Sequence, residues 1–224
     1  MQTVYYSLMR NLVAFLLATG VAACLLAQSS PQVPAPVHAS IVDSHEGVTI
    51  GVEPWTQASR YKAKFPKKSP LAGGIVAIRV TFRNDNDYGV KVNLQRIRLV
   101  VQVSEDNRQE LDALSADNVA DAVMLKANGK DPTAKRIPIP LPVGKPKPSR
   151  DANWTNFRDD CQNAAVPSGV LAAHSSVEGL LYFDLRGEMD LLTSARLYVP
   201  DLFNMNDNQP LSYFDVALGH DSSE

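Results

Sequence analysis

The alternation of apolar and polar positions is clearest in residues 74–103. Four apolar side chains share one parity in the first half of this stretch: Val76, Ile78, Val80 and Phe82. Such a period of two predicts a half-buried β-strand over residues 76–83. The next six residues, 84–89, are rich in Asn and Asp and end in Gly89, a composition typical of a turn. Alternation resumes at Val90, so we expect a central hairpin.

The parity of the apolar positions changes inside the second half of this stretch. Before Gln95 they are even-numbered (Val90, Val92, Leu94), and afterwards they are odd-numbered: Ile97, Leu99, Val101 and Val103. Because successive side chains of a strand point to opposite faces, this change predicts a β-bulge or a strand that passes from one sheet to another. Two packed antiparallel sheets are the expected result.

Further strand patterns stand before and after this stretch. They cover residues 47–53, 108–111, 177–185, 192–199 and 211–218. Pro54 should end the first or place it at a sheet edge. Residues 177–185 are apolar on both faces, which predicts a central strand. About seven or eight strands without βαβ alternation predict a mainly β fold, an antiparallel β-sandwich.

Residues 112–168 have a different composition and hydrophobic pattern, which predict a helical and Pro-rich insertion. A first helix is expected over 115–129 with Ser115 as its N-cap, and a Pro-rich extended segment over 131–149. A second helix should cover 150–165, with an apolar stripe made by Trp154, Phe157, Cys161, Ala164 and Ala165. Cys161 is expected to be a small buried apolar residue, since its neighbours are the acids Asp159 and Asp160.

The N-terminus has the layout of an export signal. Arg10 is followed by an uncharged apolar run and by small residues, which predicts a signal peptide over 1–23. The tetrapeptide of residues 21–24, Val-Ala-Ala-Cys, resembles the bacterial lipobox, and this resemblance implies that Cys24 is lipidated and anchors the chain to a membrane. Residues 24–46 are expected to form a flexible tether. Plain secretion or an uncleaved anchor are the alternatives, and each places the folded part outside the cytoplasm.

The strand pattern as a whole resembles immunoglobulin-like domains of unknown function in exported bacterial lipoproteins. The resemblance rests on residues 76–83 with the Asn/Asp turn after them, and on residues 169–183. That family usually carries Gly or Pro in the second turn, where this chain has Ala173 and His174. The resemblance covers about residues 47–111 and 169–218, and it implies an immunoglobulin-like sandwich over 47–219 and a cell-envelope location. It brings no catalytic residues.

Composition narrows the class of protein further. The chain has 224 residues, 45% of them hydrophobic, which suits one domain with an insertion followed by a polar tail at 220–224. A formal net charge of −2 gives no whole-protein attraction to nucleic acid. Two cysteines, Cys24 and Cys161, are too few for a disulfide scaffold or a thiolate zinc site.

Motifs for catalysis are absent from the sequence, and we predict no cofactor or metal. No phosphate-binding or dinucleotide-binding glycine loop, nucleophile elbow or His-Glu-x-x-His pattern occurs. His174 with Ser175 and Ser176 is expected to form a turn rather than a catalytic pair. The Asn/Asp-rich loops 84–89 and 204–208 lack the calcium-loop register and are expected to be turns. The alternative is an enzyme, a hydrolase acting on envelope material, which would need carboxylates brought together in three dimensions, such as Asp159, Asp160, Asp184 and Asp201.

Charge is unevenly distributed. Basic residues concentrate in the connection 60–68 and in the insertion, and the candidates for binding a partner are Lys62, Lys64, Lys67, Lys68, Lys135, Arg136, Lys145, Lys147 and Arg150. The last third, from Glu178, is acidic. The basic residues either dock on an anionic partner, such as an envelope protein, a membrane surface or a wall polymer, or fold back on the acidic strands.

Together these patterns predict a non-catalytic, lipid-anchored envelope protein that acts as a binding or scaffolding module. A third hypothesis is a subunit of a larger complex, completed through an exposed edge strand.

Overall fold

The fold is mainly β, with three antiparallel sheets and few helices. The computed structural model describes residues 41–104, 106–127 and 150–219, and the side chains of 125–127 lie outside this description. The predicted signal peptide, Cys24, the Pro-rich segment and the polar tail therefore lie outside the described residues. The described part contains twelve short strands: β1 (Ile41–His45), β2 (Val48–Trp55), β3 (Ile75–Asn84), β4 (Val90–Val92), β5 (Arg98–Ser104), β6 (Asn107–Asp112), β7 (Val170–Leu171), β8 (Ser175–Asp184), β9 (Arg196–Val199), β10 (Leu202–Asn204), β11 (Pro210–Leu211) and β12 (Phe214–Ala217).

Strand order defines the three sheets. The first has the order β1-β2-β3-β8, the second β11-β10-β4-β7 and the third β12-β9-β5-β6. The even-numbered apolar residues of β3 are fully buried and face side chains of the second and third sheets in one cluster, the inner core. Val90, Leu99, Leu197 and Phe214 belong to that cluster. The predicted facing of Val76, Ile78, Val80 and Phe82 is confirmed.

The predicted hairpin at residues 84–89 is wrong. β3 pairs with β2 and β8, whereas β4 pairs with β10 and β7, so the turn carries the chain from one sheet to another. Asn84 holds this crossing: its side-chain amide donates to the carbonyl oxygens of Tyr88 (2.7 Å) and Ala172 (3.0 Å). A turn composition is local, whereas strand pairing is decided by which surfaces the whole chain can bury.

The parity change is confirmed as a change of sheet. A 3-10 helix, Leu94–Arg96, separates β4 in the second sheet from β5 in the third. The chain makes a second change of this kind between β9 and β10, at Pro200 and Asp201. The two points at which the chain changes sheet are hydrogen-bonded to each other: the backbone N–H of Asn93 donates to the carbonyl oxygen of Asp201 (3.0 Å). These breaks raise the number of strands above the seven or eight expected.

The predicted tether extends too far, because residues 41–45 form β1. This strand pairs with β2 from Ile41 opposite Val52 to His45 opposite Val48. The ring of His45 stacks on Phe214 with centroids 3.7 Å apart, and the Glu46 carboxylate accepts hydrogen bonds from the Ser212 N–H (2.7 Å) and hydroxyl (2.8 Å). β1 is held by these pairings rather than by an apolar pattern, which is why the sequence did not indicate it.

Pro54 stands inside β2 but beyond the end of β1. β1 reaches only Val52, whereas β2 continues alongside β3 to Trp55. Among the described residues no strand lies beside Pro54 on the β1 side, so a residue without an N–H is tolerated there.

β8 is an edge strand and not the predicted central strand. It pairs with β3 alone, and the ends of the insertion cover its other edge. Ala165 bridges Leu180, the Val166 N–H donates to the Leu180 carbonyl (3.3 Å), and the Leu114 N–H donates to the Tyr182 carbonyl (2.8 Å). From Leu180 to Phe183 both faces of β8 are buried, which explains the apolar sequence of this half of the strand.

The helices form a layer on the face of the first sheet that points away from the inner core. They are α1 (Ala58–Lys62), α2 (Ala116–Ala127) and α3 (Ala152–Ala164). A second cluster, the helix-side core, joins Ile75, Ala77, Leu180 and Tyr182 of the sheet to the α3 stripe of Trp154, Phe157, Cys161 and Ala164. The predicted stripe is confirmed. So is the Ser115 cap, whose hydroxyl accepts the Asn118 N–H at 3.2 Å.

Candidate binding surface

The connection between β2 and β3 presents basic side chains above two buried aromatic anchors. Tyr61 and Phe65 belong to the helix-side core and are 1% and 3% exposed. The Tyr61 hydroxyl donates to the Trp55 carbonyl (2.8 Å) and accepts the Ala77 N–H (2.9 Å). These aromatic rings are therefore not available to an external partner.

Four lysines remain on the outside of this connection, and we call them the lysine surface: Lys62, Lys64, Lys67 and Lys68. Lys62, Lys64 and Lys67 are exposed, whereas Lys68 is half-buried and its ammonium donates to the Met124 sulfur (3.2 Å). None of the four forms an ion pair with a carboxylate within residues 41–104, 106–127 and 150–219. Their charge is therefore presented to solvent.

A cavity of about 350 Å³ lies beside Lys67 and Lys68. Its other walls come from both insertion helices, and they are Met124, Asp151, Asn153, Asn156, Phe157 and Asp160. Asp151 caps α3 by accepting the Trp154 N–H at 2.9 Å, so one of the two carboxylates already has a structural role. The two lysines and the two aspartates make this cavity mixed in charge.

The described ends of the insertion lie next to the lysine surface at this cavity. Met124 near the end of α2 and Asp151 just before α3 both line it, next to Lys67 and Lys68. The chain therefore leaves and re-enters the described structure beside the lysine surface. Lys135, Arg136, Lys145 and Lys147 lie outside the described residues.

Arg150 and Arg60 are engaged with groups of this protein. The Arg150 guanidinium lies 4.5 Å from the Trp154 ring centroid and 3.6 Å from Asp121, which also accepts the Trp154 indole N–H at 2.9 Å. Arg60 pairs with the buried carboxylate of Glu53, which lies 2.6 Å from Arg79. Both arginines therefore hold the helical layer to the first sheet or within itself. Among the described members of the predicted set, Lys62, Lys64, Lys67 and Lys68 remain without a carboxylate partner.

Other candidate groups occupy ordinary structural positions. His174 is in a left-handed conformation (φ 50°) with its ring nitrogen 2.8 Å from Asp87, and Ser175 donates to the Ala172 carbonyl. The side chains of Asn84, Asn204 and Asp207 accept backbone N–H groups two residues further on, so both Asn/Asp loops are turns.

The carboxylates named for a hydrolase have separate environments. Asp184 lines one cavity and Asp160 another, Asp159 pairs with Arg158, and Asp201 lies 3.6 Å from Arg96. Within the described residues no group of three or more His, Cys, Asp or Glu side chains is placed to hold a metal ion.

Cys161 is fully buried against the first sheet, as predicted from its stripe. Burial, with a smaller contribution from Asp160, raises the pKa of its thiol to about 12. The thiol is therefore protonated at neutral pH and packs as an apolar group.

Comparisons with known proteins leave the family open. No protein-family model matches the chain, and no curated protein matches it. The chain is similar to a solved structure of a functionally unknown protein from Listeria monocytogenes EGD-e, with 16% identity, a TM-score of 0.33, and coverage of 71% of this chain and 69% of that one. In the described part of the chain, no helix has the length and apolar character needed to cross a membrane.

Proposed function

We propose that this protein is a non-catalytic, lipid-anchored module of the cell envelope that docks an anionic partner through the lysine surface. In this proposal Cys24 carries the lipid, and the three sheets form an immunoglobulin-like β-sandwich. The observation that carries the docking role is the set of four adjacent lysines without carboxylate partners among the described residues.

The packing that holds the connection between β2 and β3 in place supports the docking role. Tyr61 and Phe65 are buried below it and Glu53 pairs with Arg60, so the lysines project from a backbone held at several points. A charged surface that is already ordered loses less conformational entropy on binding than a free loop does. Lipid headgroups, an acidic wall polymer and an acidic protein surface share the required negative charge.

Anchoring at Cys24 is tested by fatty-acid labelling and membrane fractionation of the wild type and Cys24→Ala. We expect label and membrane association in the wild type and neither in the variant. Unlabelled wild-type protein would contradict the lipid anchor.

Docking is tested by co-sedimentation of the Cys24→Ala chain with vesicles containing phosphatidylglycerol and with an acidic wall polymer. The triple variant Lys62→Glu, Lys64→Glu, Lys67→Glu should lose binding, by about tenfold or more, since each lysine near an anionic surface contributes about 1 kcal/mol. Binding by the wild type should fall as salt is raised from about 0.05 M to about 0.5 M.

Lys91→Glu is the matched control for a single reversal such as Lys64→Glu. Lys91 is an exposed lysine on β4, which belongs to a different sheet. Equal losses in Lys91→Glu and Lys64→Glu would mean that net charge and not the lysine surface controls binding. The separate positions of Asp159, Asp160, Asp184 and Asp201 give the hydrolase alternative no support.

A further inference from the structure

A second cavity lies beside the third sheet, near the end of β8 in the first sheet. It has a volume of about 420 Å³ and is bounded by β5 and β6 on one side and by the segment that follows β8 on the other. Its apolar wall is formed by Val101, Val103, Leu111, Leu114, Leu185 and Leu191. Val103 is 43% exposed, so the apolar wall reaches the surface.

Acidic side chains line the same cavity. Asp112, Asp184 and Glu188 contribute three carboxylates, and Arg186 contributes one guanidinium. Asp112 is paired with Arg98 at 2.7 Å, and one oxygen of Asp184 accepts the Arg186 N–H at 2.8 Å. The exposed Glu188 carboxylate has no ion pair or hydrogen bond within the described ranges. The lining therefore favours a cationic group beside an apolar one.

A strand edge borders the cavity. β6 is the last strand of its sheet, and among the described residues it pairs with β5 alone. Five of its six residues are exposed, and Gln109 and Leu111 line the cavity. A strand added at this edge would therefore send every second side chain towards the cavity.

We propose that this acidic groove binds an extended segment of a partner protein in which every second residue faces the cavity, and in which these facing residues are apolar or are Lys or Arg. The segment adds to the free edge of β6, its apolar side chains enter the cavity, and its cationic side chains meet Glu188 and Asp184. Backbone pairing supplies affinity, whereas the apolar wall and the carboxylates select the sequence. This docking site is independent of the lysine surface and has the opposite charge, so the module would bridge two partners.

The experiment uses the full chain with Cys24→Ala and a fluorescein-labelled hexapeptide, Lys-Ser-Val-Ser-Lys-Ser, in which Lys and Val share one face of the strand. Binding is followed by fluorescence anisotropy. We expect saturable binding that is weakened about tenfold or more by Glu188→Gln combined with Asp184→Asn, since two charge-assisted contacts are lost. Asn at position 184 retains an oxygen for the Arg186 N–H. Val103→Arg, which places a cation in the groove, should weaken binding to a similar degree.

Two controls distinguish binding in the groove from non-specific electrostatic attraction of the peptide. Glu110→Gln removes a charge from β6 on the side lined by Val100, Arg196 and Tyr198, away from the groove, and should leave the affinity unchanged. The hexapeptide Lys-Ser-Ser-Ser-Lys-Ser has the same charge and should bind about tenfold more weakly, because it has no apolar side chain to bury.

Several outcomes would overturn the proposal. They are the absence of saturable binding, equal affinity for the two hexapeptides, and an equal loss in Glu110→Gln and in the Glu188 and Asp184 variant. Tighter binding of a synthetic peptide with the sequence of residues 135–149 would identify the occupant as the chain's own basic segment and not a partner.

Discussion

Asn84 shows how one side chain can hold a crossing between sheets. It is completely buried, and its amide satisfies the carbonyl oxygens of Tyr88 and Ala172 while its oxygen accepts the Asn86 N–H at 3.1 Å. Buried backbone groups that lose their partner are costly, because water cannot replace the lost bond. Asn84 therefore joins the turn before β4 to the turn before β8.

We predict that Asn84→Ala lowers the free energy of unfolding by about 1–3 kcal/mol, the usual cost of unsatisfied buried polar groups. Urea unfolding followed by circular dichroism measures this loss as a lower midpoint at unchanged slope. Asn206→Ala, at an exposed turn position, is the control and should stay within about 0.5 kcal/mol. Equal midpoints for the wild type and Asn84→Ala would refute the assigned role.

Tyr61 allows a prediction about pH. Burial raises the pKa of its phenol to about 12, while an unfolded tyrosine titrates near about 10. The folded state therefore retains the proton in this interval and the unfolded state releases it. The contribution of this group to stability is complete below pH 10 and is lost as pH rises from about 10 to about 12.

Tyr61→Phe should be less stable than the wild type at pH 7 by about 1–2 kcal/mol, since the Trp55 carbonyl and the Ala77 N–H lose their partner. The difference in the free energy of unfolding should narrow above pH 10. The wild type loses the contribution of the Tyr61 phenol in this range, whereas the variant has no phenol there to ionise. Tyr182 and Cys161 are present in both proteins, and burial, the largest cause of their raised pKa values, acts in both. Urea midpoints at pH 8 and above pH 10 test this, and a difference that does not narrow would contradict it.

At the scale of elements, the decisive feature is how β8 is covered. Gly179 lies in β8 where the end of the insertion packs against the strand. A Cβ built at this position would lie 2.4 Å from the backbone nitrogen of Val166. The insertion can approach β8 this closely only because the side chain is absent. The segment after α3 therefore packs directly against β8, and it covers the edge of the first sheet that β3 does not occupy.

We predict that Gly179→Ala destabilises the protein by about 1–3 kcal/mol, since the backbone at Ala165 and Val166 must shift. Amide hydrogen exchange should show a selective loss of protection at Val166, whose N–H bonds to Leu180. Gly89→Ala is the control, because the nearest atom to its new Cβ is the flexible Met205 sulfur at 3.1 Å. Unchanged protection at Val166 would show that the insertion adjusts freely.

At the scale of the whole molecule, two cores share the same strands. Val76 and Phe183 point into the inner core, whereas their neighbours Ala77 and Tyr182 point into the helix-side core. Loss of the helical layer would expose one face of the first sheet to water. The cores should therefore unfold together and not in sequence.

Tryptophan fluorescence offers a direct test of this coupling, because Trp55 and Trp154 both belong to the helix-side core. We predict that the urea transition followed by fluorescence coincides with the one followed by far-ultraviolet circular dichroism. Trp55→Phe isolates the signal of α3 and should preserve the coincidence. A fluorescence transition at clearly lower urea would show that the helical layer unfolds by itself.

Local patterns in the sequence predicted the elements well. The alternation in β3, the apolar stripe of α3, the Ser115 cap and the sheet change after β4 depend on residues close together in the chain. The hairpin at 84–89 and the central place of β8 were wrong, because turn composition and apolarity do not specify which strands pair. Of the candidate binding residues, Lys62, Lys64 and Lys67 are exposed, whereas Arg150 lies against the Trp154 ring, and their role in binding stays a prediction.

The sequence by itself determined the β-rich class, the facing of the central strand and the uneven charge along the chain, because period-two burial and charge are properties of neighbouring residues. Only the tertiary structure decided that β1 joins the first sheet and that the helical layer covers this sheet. It also decided that the lysine surface adjoins the insertion, whereas the acidic groove opens beside β6. These relations join residues far apart in the chain, and they follow from which apolar faces and strand edges the folded molecule can bury together.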